Sequence, residues 1–179
     1  MIANLCEALV AAPIDLDILL IKARGPHVGR LPRNARVIPL RAQHSLTSIW
    51  EVARYLRREQ PTALLAIKHR AILAALRAKQ LARTQTPISG RLGTTVSAAL
   101  ANKSPSRRQR WYRAMRRYYP RLHRLIAVSQ GVADDVLDIT DMPASQIVVV
   151  RNPTITPELL KAAEAPVDHP WLQSDSGIP

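Results

Sequence analysis

The sequence predicts an α/β fold built on a doubly wound parallel sheet with helices on both faces. Three observations carry this expectation. Short apolar runs of strand length alternate with helical patterns of ten to fifteen residues, the arrangement of strand–helix–strand units. The runs are continuously apolar rather than alternating, as strands covered on both sides require. The chain has 179 residues, 47% of them hydrophobic, which suits one domain with a substantial core. Phe is absent, so Leu, Ile, Val and Ala must fill that core.

The elements follow in order. Ile2, Leu5 and Leu9 recur at helical spacing, predicting a helix over 2–11. "DLDILLIK" (15–22) reads as a strand, "ARGPHVGRLPRN" as a loop and "ARVIPL" (35–40) as a second strand. Ser45 is placed to cap a helix over 46–59, whose Ile49, Val52, Ala53 and Leu56 form one stripe, and Pro61 ends it. "TALLAIK" (62–68) is a strand and "HRAILAALRAKQLAR" a helix rich in strong helix formers. "TPISGRL" (86–92) is a strand opening into a small-residue loop, "GTTVSAALANKSPS". A basic helix spans 106–119 and stops at Pro120; strand 124–128, helix 131–139, strand 147–150 and a helix over 157–164 complete the pattern.

Charge is distributed unevenly. The net charge is +13, yet no acidic residue lies between Glu59 and Asp134, a span holding fifteen Lys and Arg. Local excess of this kind points to an anionic partner or surface. A single cysteine, Cys6, excludes an internal disulfide and points to a reducing compartment, with Cys6 read as a small buried hydrophobe. No run of eighteen apolar residues occurs, and the apolar N-terminus lacks a basic leader region, so a cytoplasmic protein is expected.

In a doubly wound sheet, ligands meet the carboxyl ends of the strands. That rule selects Lys68 and His69, the Arg91–Thr95 segment (Arg91, Gly93, Thr94, Thr95), Ser129 and Gly131, and Asn152. "GTTVS" after Arg91 offers amides and hydroxyls beside a guanidinium, which suits an oxygen-rich ligand, although turn residues also simply build turns. None of His27, His44, His69, His123 and His169 is paired with His or Cys at ligand spacing, so no metal is expected. Walker, dinucleotide-fingerprint and hydrolase-elbow motifs are absent. Asp134 and Asp135 are expected in the first turn of their helix, complementing its dipole. The arginines of the basic helix (Arg107, Arg108, Arg110, Arg113, Arg116, Arg117) accompany a seam of Trp111, Met115, Tyr118 and Leu122. That seam can be core, an interfacial membrane face or a nucleic-acid stacking surface.

The stretch "IAVSQGVADDV", followed by "DMPASQIVVVRNP" and "TPEL", resembles the end of the N-terminal domain of family 4 glycosyltransferases, in which a strand ends in Val-Ser, a helix follows, and an Asn-Pro pair leads toward a second domain. Lys103–Ser104 upstream and "APVDHPWL" downstream extend the likeness. The resemblance implies a GT-B enzyme of two Rossmann-like domains, the first binding a glycan or lipid-linked acceptor, as in polysaccharide biosynthesis, and the second a nucleotide sugar, with no metal. It implies that residues 1–165 form the acceptor domain and 166–179 begin the linker. Ser129 and Gly131 then match the Val-Ser turn, and Asn152 and Pro153 the crossing point. Where the family often presents a histidine after the strand, this sequence reads Gly93, Thr94 and Thr95, and no catalytic base is assigned. The family's first strand would precede the first helix, and its donor domain would follow residue 179. The chain alone is therefore expected to lack transfer, to carry no cofactor, and to be marginally stable or self-associating. A solvated face over a packed seam is the default reading of the basic helix; contact with the inner membrane face comes next, and nucleic acid is the less favoured partner. The alternatives are a non-catalytic anion-binding module and an inactive gene fragment.

Overall fold

The computed structural model describes residues 2–21 and 28–165. Expectations placed on residues 22–27 and 166–179, among them His27, His169 and the linker, lie outside the described residues. Seven helices and six strands alternate there: α1 (Ile2–Val10), β1 (Asp17–Leu20), β2 (Arg36–Pro39), α2 (Ile49–Glu59), β3 (Leu64–Ile67), α3 (His69–Ala82), β4 (Ile88–Leu92), α4 (Val96–Ala99), α5 (Pro105–Tyr118), β5 (Arg124–Ala127), α6 (Gln130–Ile139), β6 (Ile147–Val149) and α7 (Pro157–Ala163). All strand pairs are parallel. β3-β4-β5-β6 form a four-stranded sheet, and β1 pairs with β2 in a separate two-stranded one.

Two apolar clusters fill the interior. The larger joins Ile72 and Leu76 of α3, Met115 of α5 and Val132 and Val136 of α6 to Ile88, Leu92 and Leu125 of the central strands. The smaller sets Val52, Ala53 and Leu56 of α2 against Ala78 and Ala82 of α3, with Leu19, Ile38 and Leu64 packed against them. α3 therefore serves both clusters, which explains its almost continuous burial from Ile72 to Leu76.

Four expectations are corrected. Ser45 does not cap α2. That helix starts at Ile49, and Ser48, fully buried, donates from its Oγ to the Ser45 carbonyl at 2.8 Å. Glu51 in its first turn accepts the Arg41 and Ala42 N–H groups instead, at 2.9 and 2.8 Å. The loop after β4 contains a short helix, α4. Pro120 does not stop the basic helix outright; Tyr119–Arg121 continue as a 3-10 turn. Asp134 and Asp135 lie in the second turn of α6, which has no acid in its first.

The seam of α5 is core. Met115, Tyr119 and Leu122 are buried, and Trp111, Tyr112, Ala114 and Tyr118 pack against the same cluster. Cys6 is buried in α1, and its thiol pKa is raised by burial and then by Glu7.

Candidate functional site

The site begins where β3 gives way to α3. Lys68 makes that turn with φ 77° and ψ 145°, a conformation with positive φ that a lysine adopts only under constraint. Its N–H donates to the Arg91 carbonyl at 3.0 Å, and its carbonyl accepts from Ile72 at 3.0 Å. The turn is thus fixed from both sides, by β4 and by the first turn of α3. His69 opens α3 with its ring edge-on to Trp111, centroids 5.1 Å apart and planes at 83°. Arg70 lies over the same indole, its Cζ 5.7 Å from the centroid. The His69 Nε2 atom is buried without a hydrogen-bond partner, and burial, then the neighbouring Arg70 charge, lowers its pKa. The imidazole is therefore neutral at pH 7.

Arg91 precedes the last residue of β4 and is only 5% exposed. It donates from Nη2 to the Asn152 Oδ1, joining the end of β4 to the segment after β6 across sixty-one positions of sequence. Burial lowers the guanidinium pKa. Beyond β4, Gly93 and Thr94 are exposed and Thr95 opens α4. Asp135 of α6 fixes that helix start: its Oδ2 accepts the Val96 N–H at 2.6 Å, and its two oxygens lie 3.4 and 3.3 Å from the Ser97 N. Asp134 accepts from Gln130 Nε2 at 2.8 Å.

Lys68, His69, Arg91, Gly93 and Thr94 line one cleft, together with Trp111. Ser129 and Gly131 do not line it. They sit at the carboxyl end of β5, where the Ser129 Oγ accepts the Val132 N–H at 3.4 Å and so caps α6. A Cβ built on Gly131 would meet nothing within 4 Å, so no packing inside the chain demands glycine there. Pro153 accepts from Asn4 Nδ2 at 3.1 Å, tying α1 to the strand-end loop. No group of acidic, His or Cys side chains that could hold a metal occurs among the described residues.

Sequence reasoning missed three participants. Trp111 was assigned to the basic helix, not to a cleft it shares with His69. Asp135 was read as a dipole partner of its own helix. Gly90 was read as an ordinary strand residue, whereas a Cβ there would stand 2.8 Å from Ile72 Cδ1 and 3.2 Å from Leu122 Cδ1. All three depend on contacts between residues distant in sequence.

A family model described as Glycosyltransferase Family 4 matches residues 1–156. The chain belongs to glycosyltransferase family 4. Two solved structures share its fold. One is the apo form of the lipopolysaccharide outer core galactosyltransferase WaaB, with TM-score 0.62 and 14% identity, over 86% of this chain and 41% of that one. The other is HepE (Alr3699) from Anabaena, solved with UDP and glucose, with TM-score 0.61 and 18% identity, over 90% of this chain and 45% of that one. The family 4 chain thus has the Rossmann-like architecture of GT-B enzymes and spans less than half the length of either structure. No curated protein matches it significantly.

Two site residues of this family 4 chain give measurable expectations. The positive φ of Lys68 favours glycine, so Lys68→Gly should be more stable than Lys68→Ala by about 1 kcal/mol, the strain outweighing the entropy of glycine. Equal urea midpoints for the two variants would show that the turn is unstrained. For His69 the folded pKa is depressed, so its contribution to stability is complete above the unfolded value of about 6.5 and is lost as pH falls through the folded value. Urea midpoints should therefore begin to drop as pH falls below about 6.5, and His69→Phe should remove that drop. A drop that persists in the variant would assign it to another group.

Proposed function

We propose that this family 4 chain forms the acceptor side of a GT-B cleft and presents a glycan or lipid-linked acceptor to a nucleotide sugar held by a second domain. The observation that carries this reading is the convergence of Lys68, His69, Arg91 and Thr94 on one cleft at the carboxyl ends of β3 and β4, where an open parallel sheet meets its ligands. An ammonium, a guanidinium and a hydroxyl beside a neutral imidazole match an acceptor rich in hydroxyl or phosphate oxygens. Asn152 and Pro153 mark the crossing toward the second domain. Exposed Val150, Ile155, Leu159 and Leu160 beyond β6 give that domain apolar surface to cover. The nucleotide sugar is bound by residues of the second domain, so the acceptor half needs no cofactor of its own.

The test fuses the chain to the donor domain of HepE and measures UDP release from UDP-glucose in the presence of bacterial glycan acceptors. The chain by itself should bind no UDP in calorimetry and release none. The fusion should turn over, and Arg91→Met or Thr94→Val should lower its kcat/KM about tenfold or more, the cost of removing one polar contact in a desolvated site. Tight UDP binding by the unfused chain, or variants as active as the parent fusion, would overturn the assignment.

A second observation favours attachment of this half to an anionic membrane face. Arg107, Arg110, Arg113, Arg116 and Arg117 are exposed on α5 and Arg108 is half-buried. The ion pairs found among the described residues join Arg36 to Asp17 and Glu59, and Arg58 to Glu59, none of them on α5. Arg77, Arg117 and Arg121 also gather round the Tyr118 ring at 5.1, 5.7 and 5.5 Å, which extends the basic surface onto α3. With the aromatic seam packed against the core, attraction is carried by guanidinium charge rather than by inserted rings. No helix among the described residues is long and apolar enough to cross a membrane. At about 1 kcal/mol per basic residue near an anionic surface, reversing Arg113, Arg116 and Arg117 to Glu should weaken co-sedimentation with phosphatidylglycerol vesicles roughly a hundredfold or more. Phosphatidylcholine vesicles should bind neither form; unchanged co-sedimentation of the triple variant would sink the membrane reading.

A further inference from the structure

Where α2 and α3 end, an open recess of about 480 Å³ is lined by Arg57, Arg77, Gln80, Leu81 and Arg83. α3 runs from the candidate site at its amino end to this recess at its carboxyl end. Its fourteen residues set the two about 20 Å apart. Each guanidinium of the recess is placed by a different neighbour. Arg57 reaches from α2 to the last turn of α3, donating from Nη2 to the Leu81 carbonyl at 2.6 Å and from Nε to the Ala82 carbonyl at 3.4 Å. Arg77 stands over the Tyr118 ring of α5, its Cζ 5.1 Å from the centroid. Arg83 closes α3 with φ 53° and ψ 36°, and its N–H donates to the Gln80 carbonyl at 3.3 Å.

Helix-end chemistry explains only the first of the three. Basic side chains suit the negative end of a helix, and Arg57 fills that role by taking up carbonyls at the end of α3. Arg83 instead occupies a left-handed position where glycine is the usual residue, so its long side chain is carried there against the backbone preference. Neither Arg77 nor Arg83 joins an ion pair among the described residues. Like charges sharing one recess repel, and the sequence offers them no acid between Glu59 and Asp134. Glu59 itself is taken by Arg36 and Arg58. The counter-charge that would relieve this repulsion has to come from outside the chain.

We infer that the recess, with the arginine row leading from it, binds a linear chain of linked phosphates, inorganic polyphosphate by chemical class. A carboxylate is matched by one guanidinium fork, whereas each phosphate has oxygens enough to serve several. The row continues past the recess, because Arg117 and Arg121 share the Tyr118 ring with Arg77 at 5.7 and 5.5 Å. A single small anion would fill the recess and leave that row unused; a phosphate chain engages both. Single-stranded nucleic acid would also need aromatic faces on which its bases stack. Tyr118, the aromatic residue of the row, is engaged by guanidinium groups instead. The inference rests on charge at the far end of α3 and does not depend on sugar transfer.

The test measures calorimetric binding of short-chain linear polyphosphate to the full chain, beside oligouridylate RNA and polyglutamate at equal concentrations of charge. Polyphosphate should bind about tenfold more tightly than either, or better. UDP, which reaches only part of the row, should not register. Arg83→Gly removes a guanidinium where the backbone favours glycine, so it should leave the melting temperature at or above the parent's while weakening polyphosphate binding about tenfold. Arg77→Gln should weaken it similarly, and each variant should reduce the slope of log K against log salt by about one. Arg113→Gln and Arg116→Gln, outside the recess, should weaken binding far less. Equal losses in these α5 variants would overturn the proposal, because the binding surface would then be diffuse. RNA or polyglutamate binding as tightly as polyphosphate would overturn it too, as would unchanged affinity in both recess variants.

Discussion

Gly90→Ala should lower the melting temperature by several degrees, although it adds only one carbon. That carbon would stand 2.8 and 3.1 Å from Ile72 Cδ1 and Cγ1 and 3.2 Å from Leu122 Cδ1. Ile72 is wholly buried and Leu122 nearly so, which leaves neither side chain an open direction in which to retreat. Overpacking of this kind costs about 1–3 kcal/mol. Against it stands a gain of about 0.4–1 kcal/mol from the reduced entropy of the unfolded chain. The net loss of about 1–2 kcal/mol corresponds to roughly 3–8 °C at this chain length. Ile72→Val in the same background should recover part of it by withdrawing the crowding Cδ1. An unchanged melting temperature for Gly90→Ala would show that α3 can move off the sheet. The close contact of helix and strand also holds Lys68 and Arg91 in register, so overpacking here should disturb the candidate site as well.

Asp135→Ala should have the second large effect. The carboxylate reaches from α6 to the first amides of α4, accepting the Val96 N–H at 2.6 Å. Removing it leaves donors without an acceptor at a helix start, at a cost of about 0.5–2 kcal/mol. The better helix propensity of alanine within α6 offsets about 0.5 kcal/mol of this. Asp135→Asn retains one acceptor oxygen and should fall between the parent and the alanine variant. Amide exchange at Val96 and Ser97 should accelerate in the alanine form, while Val136 and Ile139 remain protected. Uniform acceleration across α6 would show instead that the substitution damages the helix that carries it.

Most of the architecture was legible in the sequence because it rests on local patterns. The runs at Leu64–Ile67, Ile88–Leu92 and Arg124–Ala127 are strands, and the Ala- and Leu-rich segment after Lys68 is α3. The errors lie where local signals compete. Ser45 and Ser48 are equally plausible caps by type, yet neither side chain caps α2, because the Ser48 hydroxyl bonds back to the Ser45 carbonyl. "VSAAL" reads as a loop because it is short and small-residued; Asp135, 39 positions beyond Val96, fixes its start. The seam of α5 had three readings because periodicity says that a face is apolar, not what covers it. At the candidate site, the carboxyl-end rule named Lys68, His69, Arg91 and Thr94, which line one cleft. It could not find Trp111, which reaches the cleft from a helix outside the strand ends. Nor could it separate Ser129, which closes its own helix, from residues that line the cleft.

The way in which the first two strands are fastened has a dynamic consequence. β1 and β2 pair with one another and with no other strand among the described residues. They are held to the larger sheet by the α2–α3 layer and by the Arg36, Asp17, Glu59 and Tyr55 side chains, in which Tyr55 donates to Asp17 at 2.8 Å. Such an assembly can swing open without unzipping a single rung of the four-stranded ladder. It should behave as a foldon of its own, opening at a smaller free-energy cost than the four-stranded sheet. Limited proteolysis should therefore nick the first sixty residues while leaving a resistant remnant from β3 onward. Acid should hasten this, because Asp17, whose pKa is held down chiefly by Arg36, loses its pairing as pH falls below the ordinary carboxylate range.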